Sequence, residues 1–237
     1  MEVILTECTV NPVQSIERAA ANCYDSSPDS NGKIMNACYN SGHHSVLEFA
    51  NFTFHISGVS RALTHQLVRH RVAGYAQRSQ RYCKEDGFKY VVPDTIREND
   101  AALDYYEHIM QFLRTSYDTF VNTYNVPAED ARYILPNACE TVIEVTMNGR
   151  ELIHFCNERL CTRAQWEIRE LTKAMKKSVH DYNEKCAEFS KFLVPKCYAN
   201  LKYPFCTEHK SCGLAPRLSD IYKAYKENCG QNFEEVV

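Results

Sequence analysis

Alternating apolar and polar residues predict several short β-strands along the chain. Residues 3–6 and 51–56 alternate in this way, and residues 141–147 repeat the pattern in the second half of the sequence. Each stretch would place its apolar side chains on one face of a sheet, because successive side chains of a strand point to opposite faces. Residues 88–93 form a further apolar stretch that Pro93 ends, and we expect another strand there.

Apolar residues at intervals of three and four predict amphipathic helices between these strands. The longest cover residues 97–124 and 164–193, and shorter ones cover residues 12–23, 33–40 and 150–160. Strands separated by helices, some of them long, are typical of the α+β class. We therefore expect a single mixed domain with a central β-sheet flanked by long helices.

The stretch 60–82 concentrates basic side chains between two of the predicted strands. It contains Arg61, Arg69, Arg71, Arg78 and Arg81. No acidic residue lies among them, and an unpaired arginine cluster of this kind usually faces solvent or a bound anion. A helix over residues 59–70 would bring Gln66 and Arg69 together, and an extended segment after Gly74 would aim alternate polar groups the same way. Guanidinium, amide and hydroxyl groups suit a ligand that carries phosphate and a flat heterocycle.

Composition limits the classes of protein that this chain can belong to. Its 237 residues suit one substantial core, and its formal net charge is −3. A nucleic-acid-binding module, with the 61–81 region as a recognition helix, usually carries a broad basic excess, so we expect no nucleic-acid partner. No apolar run is long enough to cross a bilayer, and the first residues, MEVILTECTV, lack a basic region. We therefore expect no signal peptide, no membrane association and a cytoplasmic location.

Twelve cysteines are scattered through the predicted helices and strands. Without a leader sequence this distribution favours reduced thiols over a disulfide framework. Cys197, Cys206 and Cys212, with His209 between the last two, could form a set of four metal ligands. The intervals are wide and contain no CxxC pair, so we predict ordinary thiols and no metal site.

Arg69-His70-Arg71, followed by seven residues and then Ser79, resembles the signature of the flavin-dependent thymidylate synthases. This family is unrelated in fold to the thymidylate synthases that use a catalytic cysteine. Two longer blocks resemble conserved segments of the family, in the family's order: GHHSVLEFANFTFHISGVSRA before the signature and NGRELIHFCNERLCTRAQWEIR after it, with ARYILP between them. The resemblance implies a family domain over residues 1–195 and a C-terminal extension of unknown role over residues 196–237.

The resemblance also implies a reaction, which is the reductive methylation of dUMP to dTMP. In the family, 5,10-methylenetetrahydrofolate supplies the carbon, FAD carries the hydride, and NADPH reduces the flavin again. Members are typically homotetramers whose active sites draw on more than one subunit. A flavin- and nucleotide-binding protein that lacks synthase activity stays open as an alternative.

Several residues match positions that contact FAD in the family. They are His43, Ser45, Arg69, His70, Arg71, Gln77, Asn148, Arg150 and His154. Gln77 stands where some members have glutamate, which preserves hydrogen bonding and removes a carboxylate. His154 replaces an asparagine that some members have. Since the chain has no Gly-rich dinucleotide fingerprint, side chains such as Arg71 and Arg150 are expected to bind the FAD phosphates.

A second set of residues matches positions at the nucleotide. They are Gln66, Arg69, Gln77, Arg78, Ser79, Gln80, Arg81, Arg132 and Arg159. Arg159 is the candidate catalytic residue, because the resemblance places it where an arginine stabilises the pyrimidine as an N3 anion. Ser79 has no histidine or lysine near it in sequence to act as its base, so we expect it to position substrate and not to attack it.

Overall fold

The structure is a computed structural model that describes residues 1–23, 27–28, 31–200 and 202–229. The chain divides into two compact units, each assembled from separate parts of the sequence. The first unit consists of Met1–Thr9 and Asn51–Asn148, and the second of Val10–Ala50 and the residues from Gly149 onward.

The first unit contains a four-stranded antiparallel sheet. Its strands are β1 (Glu2–Cys8), β2 (Asn51–Ser60), β3 (Ala73–Gln77) and β4 (Glu140–Asn148), in the spatial order β1-β2-β4-β3. The alternation in β2 has the expected effect, since Phe52, Phe54 and Ile56 are fully buried. The long pairing of β2 with β4 therefore forms the centre of this unit.

Helices make up most of the remaining described chain, in both units. They are α1 (Pro12–Cys23), α2 (Lys33–Asn40), α3 (Arg61–Leu67), α4 (Asp94–Arg97), α5 (Asp100–Asn122), α6 (Ala128–Ala131), α7 (Gly149–Arg159), α8 (Trp166–Tyr182), α9 (Glu184–Ser190) and α10 (Leu218–Cys229). Shorter 3-10 turns cover His44–Phe49, Arg132–Ile134 and Lys196–Tyr198. None of the helices in the described residues is long and apolar enough to cross a membrane.

The α+β prediction is confirmed by this mixture of helices with an antiparallel sheet. The strand predicted over residues 88–93 is wrong. Tyr90 makes an isolated bridge with Cys139, and Val91 N donates to Ala138 O at 2.9 Å, but Pro93 and α4 follow before a ladder can extend. Phe88 and Met110 nevertheless bury this segment against α5, so its apolar residues serve the core without forming a strand.

The single helix predicted over residues 164–193 is also wrong, because the chain breaks at Asn183. Its backbone is extended, with φ −165° and ψ 171°, and its side-chain oxygen accepts a hydrogen bond from Cys186 N at 2.8 Å. Asn183 therefore ends α8 and caps α9. Both helices still bury their apolar faces, which include Met175 and Phe189, so the periodicity correctly predicted the burial.

Candidate functional site

The arginine-rich stretch lies in the first unit, where β2 passes into α3. The predicted helix 59–70 is shorter than expected, because Val59 belongs to β2 and the Ser60 hydroxyl caps α3 by accepting from Leu63 N at 3.0 Å. Leu63 and Leu67 are fully buried and hold α3 against the unit's core. The helix thus ends where the Arg69-His70-Arg71 turn begins.

That turn is held by the hydroxyl of Tyr75 on β3. The hydroxyl oxygen lies 2.9 Å from Leu67 O and 2.7 Å from His70 O, and it can donate to one of them at a time. His70 is buried, whereas the side chains of Arg69 and Arg71 are exposed. The Tyr75 hydroxyl therefore holds the backbone of the turn, and both guanidinium groups are accessible to a ligand.

Gln77, at the end of β3, is fixed by two buried threonines. Its side-chain nitrogen donates to Thr64 Oγ1 at 3.0 Å and to Thr141 Oγ1 at 3.4 Å. Because both N–H donors are used within the protein, the carbonyl oxygen of Gln77 is the group that can accept a hydrogen bond from a ligand. The two threonines thus fix the orientation of the amide group.

The segment after β3 forms a turn, and hydrogen bonds from its own side chains stabilise that turn. Ser79 Oγ accepts from Arg81 N at 3.3 Å, and Gln80 Nε2 lies 3.9 Å from Cys139 Sγ. Arg78 Nε donates to Glu85 Oε1 at 3.2 Å. The hydroxyl of Ser79 therefore stabilises the turn.

Glu129 on α6 contacts two of the predicted nucleotide-binding arginines, one through its carboxylate and one through its backbone carbonyl. Arg81 donates to Glu129 Oε2 through Nε at 3.3 Å and Nη2 at 3.2 Å, and Arg132 Nε donates to Glu129 O at 3.0 Å. Arg61 lies near enough to Arg132 that the arginine's charge contributes to the lowered pKa of Arg61, whose main cause is burial. Arg81 and Arg132 therefore contact the same residue, and Arg61 lies near Arg132.

The expectation of an unpaired arginine cluster is wrong for Arg78 and Arg81, which form ion pairs with Glu85 and Glu129. The Arg81 pair is about half exposed at both partners, at 52% and 51%. Exposed pairs of this kind contribute about 0–1 kcal/mol, so a phosphate could replace the carboxylate at little cost.

The thiol of Cys139, which lies beside Gln80, is chemically quiet. Cys139 is fully buried, and burial is the main reason that its pKa rises to about 11. The thiolate is the nucleophilic form of cysteine, and at neutral pH almost none of it is present here. Cys139 therefore packs the core and holds Gln80 and does not supply a nucleophile.

The second unit carries the remaining candidates. His43 and Ser45 are exposed at the start of the 3-10 turn His44–Phe49, and the same turn carries Glu48. Glu48 Oε1 accepts from Arg150 Nη1 at 2.8 Å, which aligns this arginine at the start of α7. His154 follows on α7 and is also exposed, so Arg150 and His154 share one helical face as predicted.

The close approach of α7 to this 3-10 turn requires a glycine. A β-carbon on Gly149 would lie 2.7 Å from Leu47 O and 3.0 Å from Phe189 Cζ. Gly149 N also donates to Ala50 O at 2.7 Å. The first residue of α7 is therefore held against the turn that carries Glu48, which brings Arg150 within reach of it.

Arg159 is the last residue of α7 and is partly buried. A cation at a helix C-terminus is stabilised by the partial negative charge of the last carbonyl groups. Arg159 thus lies at the point where the chain leaves α7 and enters the loop before α8.

Sequence reasoning missed two acidic residues that position the arginines. Glu48 was visible three residues after Ser45 in the GHHSVLE segment, although its partner lies 102 residues away. Glu129 had no signal of its own, because its partner Arg81 lies 48 residues away. The structure brings Gln77, Arg78, Ser79, Gln80, Arg81 and Arg132 into one unit with Gln66, Arg69, His70, Arg71 and Asn148, and it places His43, Ser45, Arg150, His154 and Arg159 in the other.

Comparison with known proteins identifies relatives over nearly the whole chain. The family described as "Thymidylate synthase complementing protein" matches residues 4–182. The flavin-dependent thymidylate synthase of Clostridium tetani is 38% identical, with 94% of this chain and 97% of that protein covered. The flavin-dependent thymidylate synthase of Geobacter sulfurreducens is 46% identical over 74% of this chain and 80% of its own length.

A solved structure shares the fold. The flavin dependent thymidylate synthase ThyX from Helicobacter pylori, complexed with FAD and dUMP, matches with a TM-score of 0.63 and 25% identity. The match covers 78% of this chain and 99% of the Helicobacter chain. The architecture described above is therefore one that binds a flavin and a pyrimidine nucleotide in at least one relative.

Proposed function

Since this chain belongs to the flavin-dependent thymidylate synthase family, we propose that it converts dUMP to dTMP by reductive methylation. The carbon comes from 5,10-methylenetetrahydrofolate, and NADPH is the reductant. The observation that carries this proposal is the match with the Clostridium tetani enzyme, which includes nearly all of both chains. The chain is thus an FAD-dependent enzyme with a methyltransferase-type activity.

Most of the residues that we propose to contact dUMP lie in the first unit. Arg81 and Arg132, both held by Glu129, bind the phosphate, and the carbonyl oxygen of Gln77 accepts from the nucleotide or from the flavin. The remaining contacts come from Gln66, Arg69, Arg78, Ser79 and Gln80. An arginine pair suits this task because each planar guanidinium can donate two parallel hydrogen bonds to phosphate oxygens.

Arginine side chains are the main proposed contacts of FAD. The exposed Arg69 and Arg71 flank the fixed turn at His70, and Arg150 is aligned by Glu48. His43, Ser45, Gln77, Asn148 and His154 complete the proposed set. These guanidinium groups offer the charge that a pyrophosphate needs, in a chain without a Gly-rich phosphate loop. When bound, FAD would supply the hydride for the methylation step.

Arg159 is the proposed catalytic residue. Carbon C5 of uracil is a weak nucleophile, and attack by a cysteine on C6 is one solution to that problem. The protonated thiol of Cys139 gives no support for that solution here. A guanidinium group at the N3 and O2 edge of the ring stabilises the negative charge that makes C5 nucleophilic, and this effect strengthens as water is excluded.

A Ser79→Ala variant should retain detectable turnover. The hydroxyl shapes a turn by accepting from Arg81 N, so its loss should raise the KM for dUMP about tenfold and leave kcat within about threefold, the size expected for one lost hydrogen bond. Steady-state kinetics with varied dUMP would measure both constants. Complete loss of turnover with dUMP binding intact would show that Ser79 acts as a nucleophile.

Glu48→Gln should weaken FAD binding about threefold, because Glu48 acts through an exposed ion pair with Arg150. Arg150→Ala should weaken it about tenfold, since it removes the charge that meets the ligand. The double variant should match Arg150→Ala alone, because the Glu48 carboxylate then has no arginine to align.

Flavin fluorescence titration measures the FAD affinity of each variant. Glu107→Gln, at an exposed position on α5, is the matched control. Additive losses would mean that Glu48 contacts FAD by itself.

We further propose that residues 1–195 form the synthase domain and that the chain assembles as a cytoplasmic homotetramer with shared active sites. The family relationship supports this assembly. Mass measurement in solution would give the oligomeric state. A monomer with full activity would overturn the proposal of shared sites.

Measurement of dTMP formation from dUMP and methylenetetrahydrofolate, with and without FAD and NADPH, tests the function directly. We expect product only when all components are present. The purified protein should be yellow, and its flavin absorbance should bleach when NADPH is added without oxygen. A protein that binds FAD and dUMP and forms no dTMP would be a binding protein without synthase activity, and the proposal would be wrong.

A further inference from the structure

Four cysteines from distant parts of the sequence line one small cavity in the second unit. Cys161 lies in the loop between α7 and α8, and Cys197, Cys206 and Cys212 come from the tail after α9. The cavity has a volume of about 20 Å³. A space of this size accommodates roughly one water-sized sphere, and it is far too small for a nucleotide or a folate.

The tail around these cysteines is shaped by backbone hydrogen bonds. Phe205 N donates to Cys197 O at 2.9 Å, and Cys206 N donates to Pro216 O at 2.7 Å. Leu218 N in turn donates to Cys206 O at 3.0 Å. These bonds close the chain into two consecutive loops that meet at Cys206, whose side chain is buried. Backbone hydrogen bonds therefore hold the segment that carries the three tail cysteines.

The arrangement of the sulfurs favours a bound cation. Four cysteine side chains line one cavity, and backbone hydrogen bonds hold the tail on both sides of Cys206. A set of four sulfur ligands is typical of structural zinc sites.

Lys196, Arg163 and Glu208 line the same cavity. Lys196 forms an ion pair with Glu208, so the three side chains together carry one positive charge. A divalent cation with four thiolates carries a net charge of −2, and that positive charge would partly balance it.

We propose that Cys161, Cys197, Cys206 and Cys212 bind one Zn²⁺ ion as four thiolates. In the described residues no three His, Cys, Asp or Glu side chains are already arranged so that they could hold a metal, so the thiols must close inward on the cavity. Tetrahedral zinc requires sulfur ligands at about 2.3 Å, and each thiol gives up its proton to solvent as it binds.

The structure also changes the choice of the fourth ligand. His209, the histidine between Cys206 and Cys212, lines a different cavity beside α10, and Cys161 takes its place. This replacement could not be read from spacing, because Cys161 precedes Cys197 by the whole length of α8 and α9. A zinc ion here would fasten the tail to the loop that follows Arg159, two residues before Cys161.

Metal analysis of the full chain, purified in reductant without a polyhistidine tag, tests the proposal. We expect about one zinc per chain, which a thiol-modifying mercurial should release. Replacement by Co²⁺ should produce the intense sulfur-to-cobalt charge-transfer band and the visible bands of a tetrahedral tetrathiolate. A metal-free chain that takes up neither ion, or one whose four thiols pair as disulfides in reductant-free buffer even with zinc present, would overturn the proposal.

Matched variants identify the ligands. Cys161→Ser and Cys212→Ser should each lower the zinc content at least fivefold, whereas Cys23→Ser, an exposed cysteine of α1, should leave it unchanged. His209→Ala should also leave it unchanged, and a loss of zinc in that variant would overturn the assignment of Cys161. Zinc content and cobalt spectra are read without dUMP or flavin, so their result is independent of the synthase assay.

Discussion

Replacing Arg159 by alanine should lower dTMP formation at least about 100-fold, the scale seen when one group that stabilises transition-state charge is removed. FAD and dUMP should both still bind, because their phosphates are assigned to other arginines. The loss should therefore appear in kcat more than in the KM for dUMP. Single-turnover assays with flavin absorbance and dTMP as readouts would separate binding from chemistry.

Arg159→Lys and Arg18→Ala are the controls for this prediction. Lysine keeps the charge and loses the planar fork, so it should recover only part of the rate. Arg18 is an exposed arginine on α1, and its replacement should leave turnover unchanged. Full activity in Arg159→Ala would remove this residue from the mechanism.

Replacing Gly149 by alanine should destabilise the protein by about 1–3 kcal/mol, the usual cost of forcing an extra carbon into a packed site. The added carbon would lie 2.7 Å from the backbone oxygen of Leu47, which cannot swing aside as the end of a flexible side chain could. Because the same contact brings Arg150 to Glu48, FAD affinity should fall with stability. Thermal unfolding with and without FAD would measure both effects.

Gly74→Ala is the matched control, since a β-carbon there would meet only Thr146 Cβ at 3.9 Å. That variant should keep its melting temperature within about 3 °C. If Gly149→Ala were equally harmless, α7 would not be held as closely against the 3-10 turn as the structure shows.

Local pattern predicted the regular elements well wherever burial decided them. The alternation in β2 correctly indicated a buried face, and the spacing of Leu63 and Leu67 correctly indicated the inward side of α3. The break between α8 and α9 was missed because the apolar periodicity continues through it, and only the capping geometry of Asn183 interrupts the helix. Hydrophobic periodicity reports which residues are buried, and it is insensitive to such a local kink.

The sequence named the candidate site residues by resemblance, and it contained no signal for the contacts between them. The RHR signature and the two flanking blocks named the arginines by resemblance. The acids that hold Arg81 and Arg150 are remote in sequence, and one chain without related sequences contains no signal that connects them. The cysteine cavity was missed for the same reason, since Cys161 reaches the tail cysteines only through the fold.

Glu129 has a consequence for how dUMP would bind, because its carboxylate and the dUMP phosphate would compete for Arg81. Before the nucleotide arrives, the carboxylate already occupies the guanidinium of Arg81. Under the proposed assignment of Arg81 to the phosphate, binding exchanges one anion for another, and a guanidinium passes from an internal partner to the substrate. The ion pair already restricts the Arg81 side chain, so less rotamer entropy would be lost when the substrate binds. Glu129 would also compete with the product phosphate for Arg81, which favours release after each turnover.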